Sequence, residues 1–260
     1  MDAVITAGGI PQPGEPLYEV TQGQSKALLE VGGKPMVQWV VDALCQSSVV
    51  ERMIVVGLPP ESDLQCSKLI DYLPNQESML ENIRAGVKKI QEYNPRAEHV
   101  LLGSSDIPAI TGEMVDWVAN TALETDDDVY YNVIRREVME ARYPNSRRSY
   151  TRLRGMEVCG GDLNMMHVRM MTGKNDVWEK IIASRKNVFK QAALIGFDTL
   201  ILLMLRLIDL DQVVNMVSRR LKIKGRGLVC PYAEIGMDVD KPFQLDMVRA
   251  DLSRKAGLSR

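Results

Sequence analysis

Three aspartates occupy positions from which carboxylates could hold a divalent metal ion. Asp106 follows an apolar run, in the segment GSSDIP, and Asp238 and Asp240 form a D-x-D pair in GMDVDKP. Mg²⁺ prefers oxygen ligands and is usually bound by one or two protein carboxylates together with phosphate oxygens. Asp106 and Asp240 would therefore suffice for a magnesium site, although aspartates in such segments are also typical of turns and helix caps.

A glycine turn and a lysine near the N-terminus indicate phosphate binding. The apolar run Asp2–Thr6 ends in Ala7, Gly8 and Gly9, and Lys26 follows a polar loop. Glycines let backbone N–H groups approach a phosphate closely, and a lysine can neutralise charge on a transferring phosphoryl group. The chain has neither the G-x-G-x-x-G nor the G-x-x-x-x-G-K-[ST] pattern, so a dinucleotide fold and a P-loop are disfavoured. A plain tight turn and a solvated lysine are the alternatives.

Four arginines, Arg147, Arg148, Arg152 and Arg154, lie close together in the sequence. Guanidinium groups bind phosphates and carboxylates in a bidentate manner, so this cluster could bind an acidic acceptor. A solvated basic hairpin would have the same sequence pattern.

Apolar runs alternate with helical periodicities over the first half of the chain. They predict strands over Asp2–Thr6, Arg52–Gly57, His99–Leu102 and Asp128–Ile134, and helices after Pro35, over 78–92 and over Thr111–Leu123. This alternation predicts an α/β fold, with a Rossmann-like, mixed and mostly parallel sheet covered by helices on both faces. Ligands bind such sheets beyond the carboxyl ends of the strands, so the glycine turn and Asp106 should share one crevice.

The second half is less regular and is expected to complete a single domain over residues 1–260. Tyr150–Gly155 and Glu157–Met166 suggest a hairpin-like pair of strands crossing the crevice, and about 174–220 suggests a helical insertion. The apolar stretch Leu200–Leu210 is too short to span a bilayer, so it predicts a buried or interface helix, with a membrane-surface contact as the alternative. Leu228–Cys230 predicts a strand, and an amphipathic helix that follows Pro242 is expected to face inward with Leu245, Val248 and Leu252.

Composition narrows the class of protein. A net charge of −2 with 25% charged residues gives no reason to expect a nucleic-acid or membrane partner. The N-terminus lacks a basic region before a long apolar run, so no signal peptide is expected. Four cysteines without a C-x-x-C pair, and only two histidines, disfavour a Cys/His zinc site and suggest buried reduced thiols in a cytoplasmic protein.

Taken together, these segments resemble the nucleotidyltransferase superfamily with the GT-A-like fold, and in particular the MobA-like NTP transferases. The likeness rests on the AGG turn, SKALLEVGGKPMVQWVVDAL, GSSDIPAI, GGDLNMM and EIGMDVDKPFQLDMV, in the family's order. It covers roughly residues 1–170 and 226–252. The resemblance implies an enzyme that uses Mg²⁺ to move a nucleoside monophosphate from an NTP to a small phosphorylated acceptor, with release of pyrophosphate.

The resemblance also implies roles for single residues. Ala7, Gly8 and Gly9 match the nucleotide-binding turn, Lys26 the lysine on the phosphates, and Asp106 and Asp240 the two metal aspartates. The segment Glu77-Ser78 resembles the one that lines the base pocket, which makes Ser78 a nucleotide-binding candidate. Gly160, Gly161 and Asp162 resemble the acceptor loop, in which asparagine is common at the last position. CTP and GTP are the expected donors, and a homo-oligomer is a possible assembly.

The chain departs from the family pattern in the loop after Gly9, where relatives usually carry an arginine for the triphosphate. No arginine lies between Gly9 and Lys26. Two other hypotheses therefore stay open beside nucleotidyl transfer. One is a glycosyltransferase on the same fold, although the glycine turn and Lys26 suit a triphosphate better. The other is a non-catalytic nucleotide-binding protein, and the sequence identifies neither the base nor the acceptor.

Overall fold

A computed structural model describes residues 1–76, 78–172, 194 and 196–258 of the chain. Its strands are β1 Asp2–Thr6, β2 Glu30–Val31, β3 Lys34–Pro35, β4 Arg52–Val56, β5 Leu69–Leu73, β6 His99–Ser104, β7 Val129–Arg135, β8 Thr151–Leu153, β9 Met156–Gly160, β10 Leu163–His167 and β11 Gly225–Cys230. Its α-helices are α1 Tyr18–Thr21, α2 Met36–Gln46, α3 Met79–Tyr93, α4 Gly112–Ala122, α5 Arg136–Arg142, α6 Arg169–Thr172, α7 Phe197–Met204, α8 Leu210–Leu221 and α9 Pro242–Leu258.

Nine of the strands form one sheet in the order β5-β4-β1-β6-β10-β7-β9-β8, and β11 pairs with β7. The pairs β4–β5, β1–β4, β1–β6 and β7–β11 are parallel, whereas β10 is antiparallel to β6 and β7. The predicted mixed, mostly parallel sheet is confirmed. In register, Thr6 pairs with Val56 and with Ser104, so β1, β4 and β6 end at the same edge.

Both faces of the sheet are covered, as predicted. Alternation along β1 sends Ala3 and Ile5 to one face and Val4 to the other. The first face packs against α2, α4 and α9, and the second packs against α3. Within α9, the residues predicted to face inward are buried: Leu245, Val248 and Leu252.

The prediction for the region after residue 150 was partly wrong. β8 and β9 form a hairpin, but the segment predicted to run through Glu157–Met166 breaks at Gly161 and Asp162. Its second half, β10, inserts between β6 and β7 instead. Several short elements were not predicted, among them β5, whose apolar run Leu69–Leu73 is interrupted by Asp71, and α5, whose seven residues are too few for a clear helical periodicity.

Part of the predicted insertion at 174–220 lies outside the described residues. Its described part contains α7 and α8. The stretch Leu200–Leu210 is not the buried helix of the first alternative, because α7 ends at Met204 and Arg206 takes a left-handed conformation. Among its large apolar side chains, Ile201, Met204, Leu205 and Leu207 are exposed, Ile208 is buried and the others are half-buried, and an interface role for them stays a prediction. No helix among the described residues is long and apolar enough to cross a membrane.

The cysteine prediction was right for only two of the four thiols. Cys159 and Cys230 are free and buried. Cys45, at the end of α2, and Cys66, ahead of β5, form a disulfide with their Cα atoms 6.1 Å apart. The absence of a C-x-x-C pair did not exclude this bond, because the fold brings together two cysteines 21 positions apart.

Candidate active site

The glycine turn lies at the edge where β1, β4 and β6 end. Ala7 continues from β1, and its N–H donates to Val56 O at 2.7 Å. Gly57 follows β4 and has φ +108°. The backbone of Gly8 lies so close to it that a Cβ on Gly57 would be 2.3 Å from Gly8 N. A Cβ on Gly8 would in turn lie 2.0 Å from Asn75 Oδ1. The turn therefore lies between the backbone at Gly57 and the side chain of Asn75, and a Cβ on Gly8 would displace that side chain.

Lys26 is brought to this turn by hydrogen bonds that close the loop between them. Lys26 N–H donates to Gly9 O at 2.9 Å, and the Ser25 hydroxyl donates to Ala7 O at 2.9 Å. Ser25 Oγ also accepts the N–H of Ala27 and so caps a short 3-10 helix that begins at Lys26. These hydrogen bonds, rather than the length of the loop between Gly9 and Lys26, hold the backbone of Lys26 beside the turn.

The ammonium group of Lys26 lies between two of the predicted aspartates. Its Nζ is 2.6 Å from Asp106 Oδ2 and 2.7 Å from Asp240 Oδ1. The two carboxylate oxygens are therefore no farther apart than the sum of these distances. Burial favours the neutral amine and lowers the pKa of Lys26, but the two carboxylates outweigh it and the net pKa is raised. Lys26 therefore stays charged at neutral pH.

Asp106 and Asp240 come from distant parts of the chain and are tied together by the backbone. Asp106 follows β6, and its carbonyl oxygen accepts the N–H of Val239 at 2.9 Å. The N–H of Asp240 donates to Gln244 Oε1 at 3.0 Å, which fixes the start of α9. The structure thus brings the two residues predicted as metal ligands to one point.

The side chains at this point fit a divalent metal such as Mg²⁺. Asp106 is buried, and its Oδ1 has no hydrogen-bond partner among the residues that the structure describes. A buried carboxylate oxygen without a partner is costly unless a ligand satisfies it. Asp240 adds an exposed carboxylate beside it. Two carboxylates and no sulfur or nitrogen donor are typical of Mg²⁺ rather than of a softer metal.

A cavity of about 310 Å³ opens on one side of Lys26. Apart from Met79 and two glycines, its lining side chains are polar, and they come mainly from the ends of β1 and β6, from the segment after β5 and from the start of α3. The lining consists of Thr6, Gly8, Gly9, Lys26, Asn75, Gln76, Ser78, Met79, Asn82, Ser104, Ser105 and Asp106. We call it the nucleoside cavity. Ser78 caps α3 by accepting the N–H of Glu81, whereas the neighbouring Glu77 lies outside the described residues.

Two asparagines of the nucleoside cavity were not identified from the sequence. Asn75 Nδ2 donates to Gly8 O at 3.1 Å, and Asn82 Nδ2 donates to Asn75 Oδ1 at 2.9 Å. They connect the glycine turn to α3. The signal that could have found them is a polar segment directly after a strand, but this strand, β5, was itself not predicted.

A second cavity, of about 380 Å³, opens on the other side of Lys26. It lies between the loop after Gly9 and the start of α9, and we call it the loop cavity. Its lining consists of Gly9, Ile10, Pro11, Glu15, Pro16, Leu17, Lys26, Asp240 and Lys241. The two cavities meet at Gly9 and Lys26, so an extended ligand could occupy both.

The predicted acceptor loop lies beside the carboxylates. Asp162 is held between two backbone groups: its carbonyl oxygen accepts from Ser104 N and its N–H donates to Ile235 O, both at 2.9 Å. Burial raises the pKa of Asp162 to about 7, and repulsion from Asp106 adds to this effect. Gly160 and Gly161 are tightly packed, since a Cβ on either would come within 3.0 Å of another residue.

The four arginines do not form one cluster in space. Arg148 is largely buried and pairs with Asp238, which is therefore not free to join Asp240. Arg152 pairs with Glu157 at 3.0 Å, and Arg154 pairs with Asp209 at 2.5 Å. Arg147 lies over the Phe243 ring. Of the four, only Arg148 lies close enough to Asp162 to lower its pKa.

Another titratable cluster lies at the opposite edge of the sheet. His99 and His167 are paired in register, their rings 4.6 Å apart, and each Nε2 lies 4.0 Å from Asp126 Oδ1. The backbone N–H of Arg169 donates to Nδ1 of His167 at 3.1 Å, so the neutral ring carries its proton on Nε2. A metal ligand needs a lone pair on the nitrogen that faces the metal. The described cluster therefore does not suit a metal.

Comparisons with known proteins identify the family and the fold. Residues 3–174 match the family of the MobA-like NTP transferase domain. A hypothetical transferase from Thermus thermophilus is 30% identical, with a TM-score of 0.81 over 94% of this chain and 98% of the other. A comparison with curated proteins finds no match.

Two more distant solved structures share the fold. A 4-diphosphocytidyl-2C-methyl-D-erythritol synthase from Anaerococcus prevotii is 15% identical, with a TM-score of 0.60 over 97% of this chain and 96% of the other. A CMP:2-keto-3-deoxy-manno-octonic acid synthetase in complex with CTP is 16% identical, with a TM-score of 0.57 over 98% and 99%. Since the family match covers more than half of the sequence, the chain belongs to the MobA-like NTP transferases and is an enzyme of the nucleotidyltransferase class.

Proposed function

We propose that this chain transfers a nucleoside monophosphate from an NTP to a small phosphorylated acceptor and releases pyrophosphate in a magnesium-dependent reaction. The observation that carries the proposal is the position of Lys26. Its ammonium group contacts Asp106 and Asp240 and lies beside Gly9, where the nucleoside cavity and the loop cavity meet. An NTP has the matching layout, with a polar base at one end and a polyphosphate at the other.

The nucleoside cavity is suited to a base and a ribose. Its side-chain amides and hydroxyls offer both donors and acceptors, from Asn75, Gln76, Ser78, Asn82 and Ser105. The edges of all four bases present both, so the lining suits a base without selecting one, and the expected donors CTP and GTP are tested first. The CTP bound to the synthetase of the same fold supports beginning with CTP.

The reaction needs no protein nucleophile. An acceptor phosphate oxygen attacks the α-phosphorus of the NTP, the new P–O bond forms, and the bond to the β-phosphate oxygen breaks with its electrons leaving on pyrophosphate. Lys26 and the backbone N–H groups at Gly8 and Gly9 would hold the phosphates in line and neutralise the charge that develops on them. Asp106 and Asp240 would hold Mg²⁺, which when bound screens the phosphate oxygens.

The acceptor would lie on the Asp162 side of the two carboxylates. Asp162 and its glycines occupy the break between β9 and β10, and Arg148 is close to them. This side offers little free positive charge, because Arg148 already pairs with Asp238. We therefore propose a phosphorylated small molecule with hydroxyl groups, rather than a highly charged acceptor.

A pyrophosphate-release screen tests the proposal. Four NTPs are combined with a panel of sugar phosphates, polyol phosphates and pterin phosphates in the presence of Mg²⁺. Asp106→Asn should lower pyrophosphate release by about 100-fold or more, since it removes one charge from the metal and lysine site. Asp246→Asn, on the exposed face of α9, is the matched control and should keep full activity.

The outcomes separate the three hypotheses. Unchanged turnover in Asp106→Asn would remove this residue from the mechanism. Sugar transfer from a nucleotide-sugar without pyrophosphate would favour a glycosyltransferase. NTP binding without turnover across the whole panel would favour a non-catalytic nucleotide-binding protein.

A further inference from the structure

The loop cavity lies where the end of a triphosphate would lie, yet the loop that forms one wall carries no positive charge. Residues 10–25 contain no lysine or arginine and two glutamates. One of them, Glu15, lines the cavity and accepts the N–H of Gln12 at 2.8 Å. The loop alone would repel a polyphosphate, so a cation must come from another element.

Lys26 cannot supply all of this charge. Its ammonium group already faces two carboxylates, so the trio of Lys26, Asp106 and Asp240 has a net charge of −1. Apart from Lys26, the only cationic side chain among the described residues that line the two cavities is Lys241. It belongs to the opposite wall of the loop cavity.

The backbone around Lys241 is fixed, whereas its side chain is exposed to solvent. The preceding Asp240 is held by Lys26 and by Gln244 Oε1, and Lys241 O accepts the N–H groups of Gln244 and Leu245 at 3.0 and 3.1 Å. Lys241 immediately precedes the 17-residue helix α9, whose N-terminus adds partial positive charge at the same wall. A cation in this position needs only a side-chain rotation to meet an anion in the cavity.

We propose that Lys241, together with the start of α9, binds the β- and γ-phosphates of the NTP and stabilises the leaving pyrophosphate, in place of a loop arginine. This inference rests on the proposed function, because it assumes that an NTP occupies both cavities. Lys241 would contact only the polyphosphate end of the ligand, so it should raise the affinity for an NTP but not the affinity for an NMP. The nucleoside cavity would bind the remainder of the ligand without it.

Isothermal titration of the full chain tests this division. CTP, CMP and inorganic pyrophosphate are titrated with Mg²⁺ into the wild type, Lys241→Gln, Lys241→Arg and Lys88→Gln, with GTP and GMP in parallel. Lys88 is an exposed lysine of α3 and serves as the matched control. A charge-assisted hydrogen bond at an exposed site predicts about tenfold weaker binding of CTP and pyrophosphate in Lys241→Gln. CMP affinity should not change, and Lys241→Arg should recover most of the loss.

The same titrations separate failure of this inference from failure of the proposed function. If Lys241→Gln binds CTP, GTP and pyrophosphate as tightly as the wild type, the inference is overturned while the proposed function stands. An equal loss for CMP and CTP would also overturn it, because that pattern indicates a general disturbance of the site. If the wild type binds neither NTP here and turns over none of the four NTPs in the pyrophosphate-release screen, the proposed function fails, and the inference fails with it.

Discussion

Replacing Gly57 by alanine should damage the fold and the glycine turn together. Gly57 has φ +108°, a conformation that L side chains rarely adopt. A Cβ there would lie 2.3 Å from Gly8 N and 2.4 Å from Gly8 Cα, and both are backbone atoms that cannot rotate away. The perturbation therefore acts directly on the turn assigned to nucleotide binding.

The expected magnitude has two parts. Holding alanine at a positive φ costs about 1–2 kcal/mol. Real Cβ atoms essentially never come within 3.0 Å of another atom, so Gly8 must move by at least about 0.7 Å, the difference between 3.0 and 2.3 Å. Such forced repacking costs typically about 1–3 kcal/mol. The free energy of unfolding should fall by about 2–5 kcal/mol, and a displacement approaching 1 Å at a catalytic site lowers activity by up to about 100-fold.

Gly155→Ala is the matched control for Gly57→Ala. Gly155 has φ +85° in the β8–β9 hairpin, and nothing lies within 4 Å of its ideal Cβ position. The free energy of unfolding of Gly155→Ala should fall only by the conformational part, about 1–2 kcal/mol. This variant should bind CTP or GTP normally. Urea denaturation followed by circular dichroism, together with nucleotide titration, measures both effects. Equal losses of stability in the two variants, with normal nucleotide binding in both, would refute the argument from the close approach of Gly57 to Gly8.

Two further predictions concern buried charge. Arg142 binds Glu234 at 2.8 Å and Asp251 at 2.6 Å, so Arg142→Met takes the nearest cation from two largely buried carboxylates and leaves Asp251 only the more distant Arg254, at 3.8 Å. Because a third of Arg142 is exposed, we expect a loss of about 2–3 kcal/mol in urea denaturation, and a change too small to measure would contradict it. Asp162, whose folded-state pKa is about 7, binds a proton that the unfolded chain releases near pH 4, so stability should fall as pH rises between these values. Asp162→Asn should remove this fall in metal-free buffer, and parallel stability curves for variant and wild type over pH 4–8 would show that the carboxyl is not perturbed.

The parts of the fold that the sequence predicted are those with strong local signals. β1, β4 and β6 are continuous apolar runs, and α2, α3 and α4 have clear helical periodicity, so their positions followed from local patterns. β10 could not be placed in this way. Its residues indicate a strand, but its position between β6 and β7 depends on pairing with residues about 35 to 65 positions earlier in the chain.

The same contrast explains which site residues could be predicted. The glycine turn, Lys26 and Asp106 carry short motifs at the ends of recognisable elements. The D-x-D segment made Asp240 a candidate metal ligand, but nothing local indicates that it meets Lys26 across 214 positions. No local sequence pattern indicates that Arg148 pairs with Asp238, and none indicates that Gly57 approaches Gly8. Both depend on how separate segments pack.

Of the two departures from the family pattern, one concerns the expected NTP donor and the other concerns the expected acceptor. The loop without an arginine faces the loop cavity, where Lys241 offers a replacement charge on the far wall. Asp162 in place of asparagine adds a third carboxyl near Asp106 and Asp240, and its raised pKa shows that the added negative charge is unfavourable there. A protonated Asp162 offers one O–H donor and a carbonyl acceptor, whereas asparagine offers two N–H donors and the same acceptor. Below its pKa of about 7, Asp162 can therefore form hydrogen bonds without adding a negative charge to the site, and a cation held by the two other carboxylates would shift it towards the ionised form.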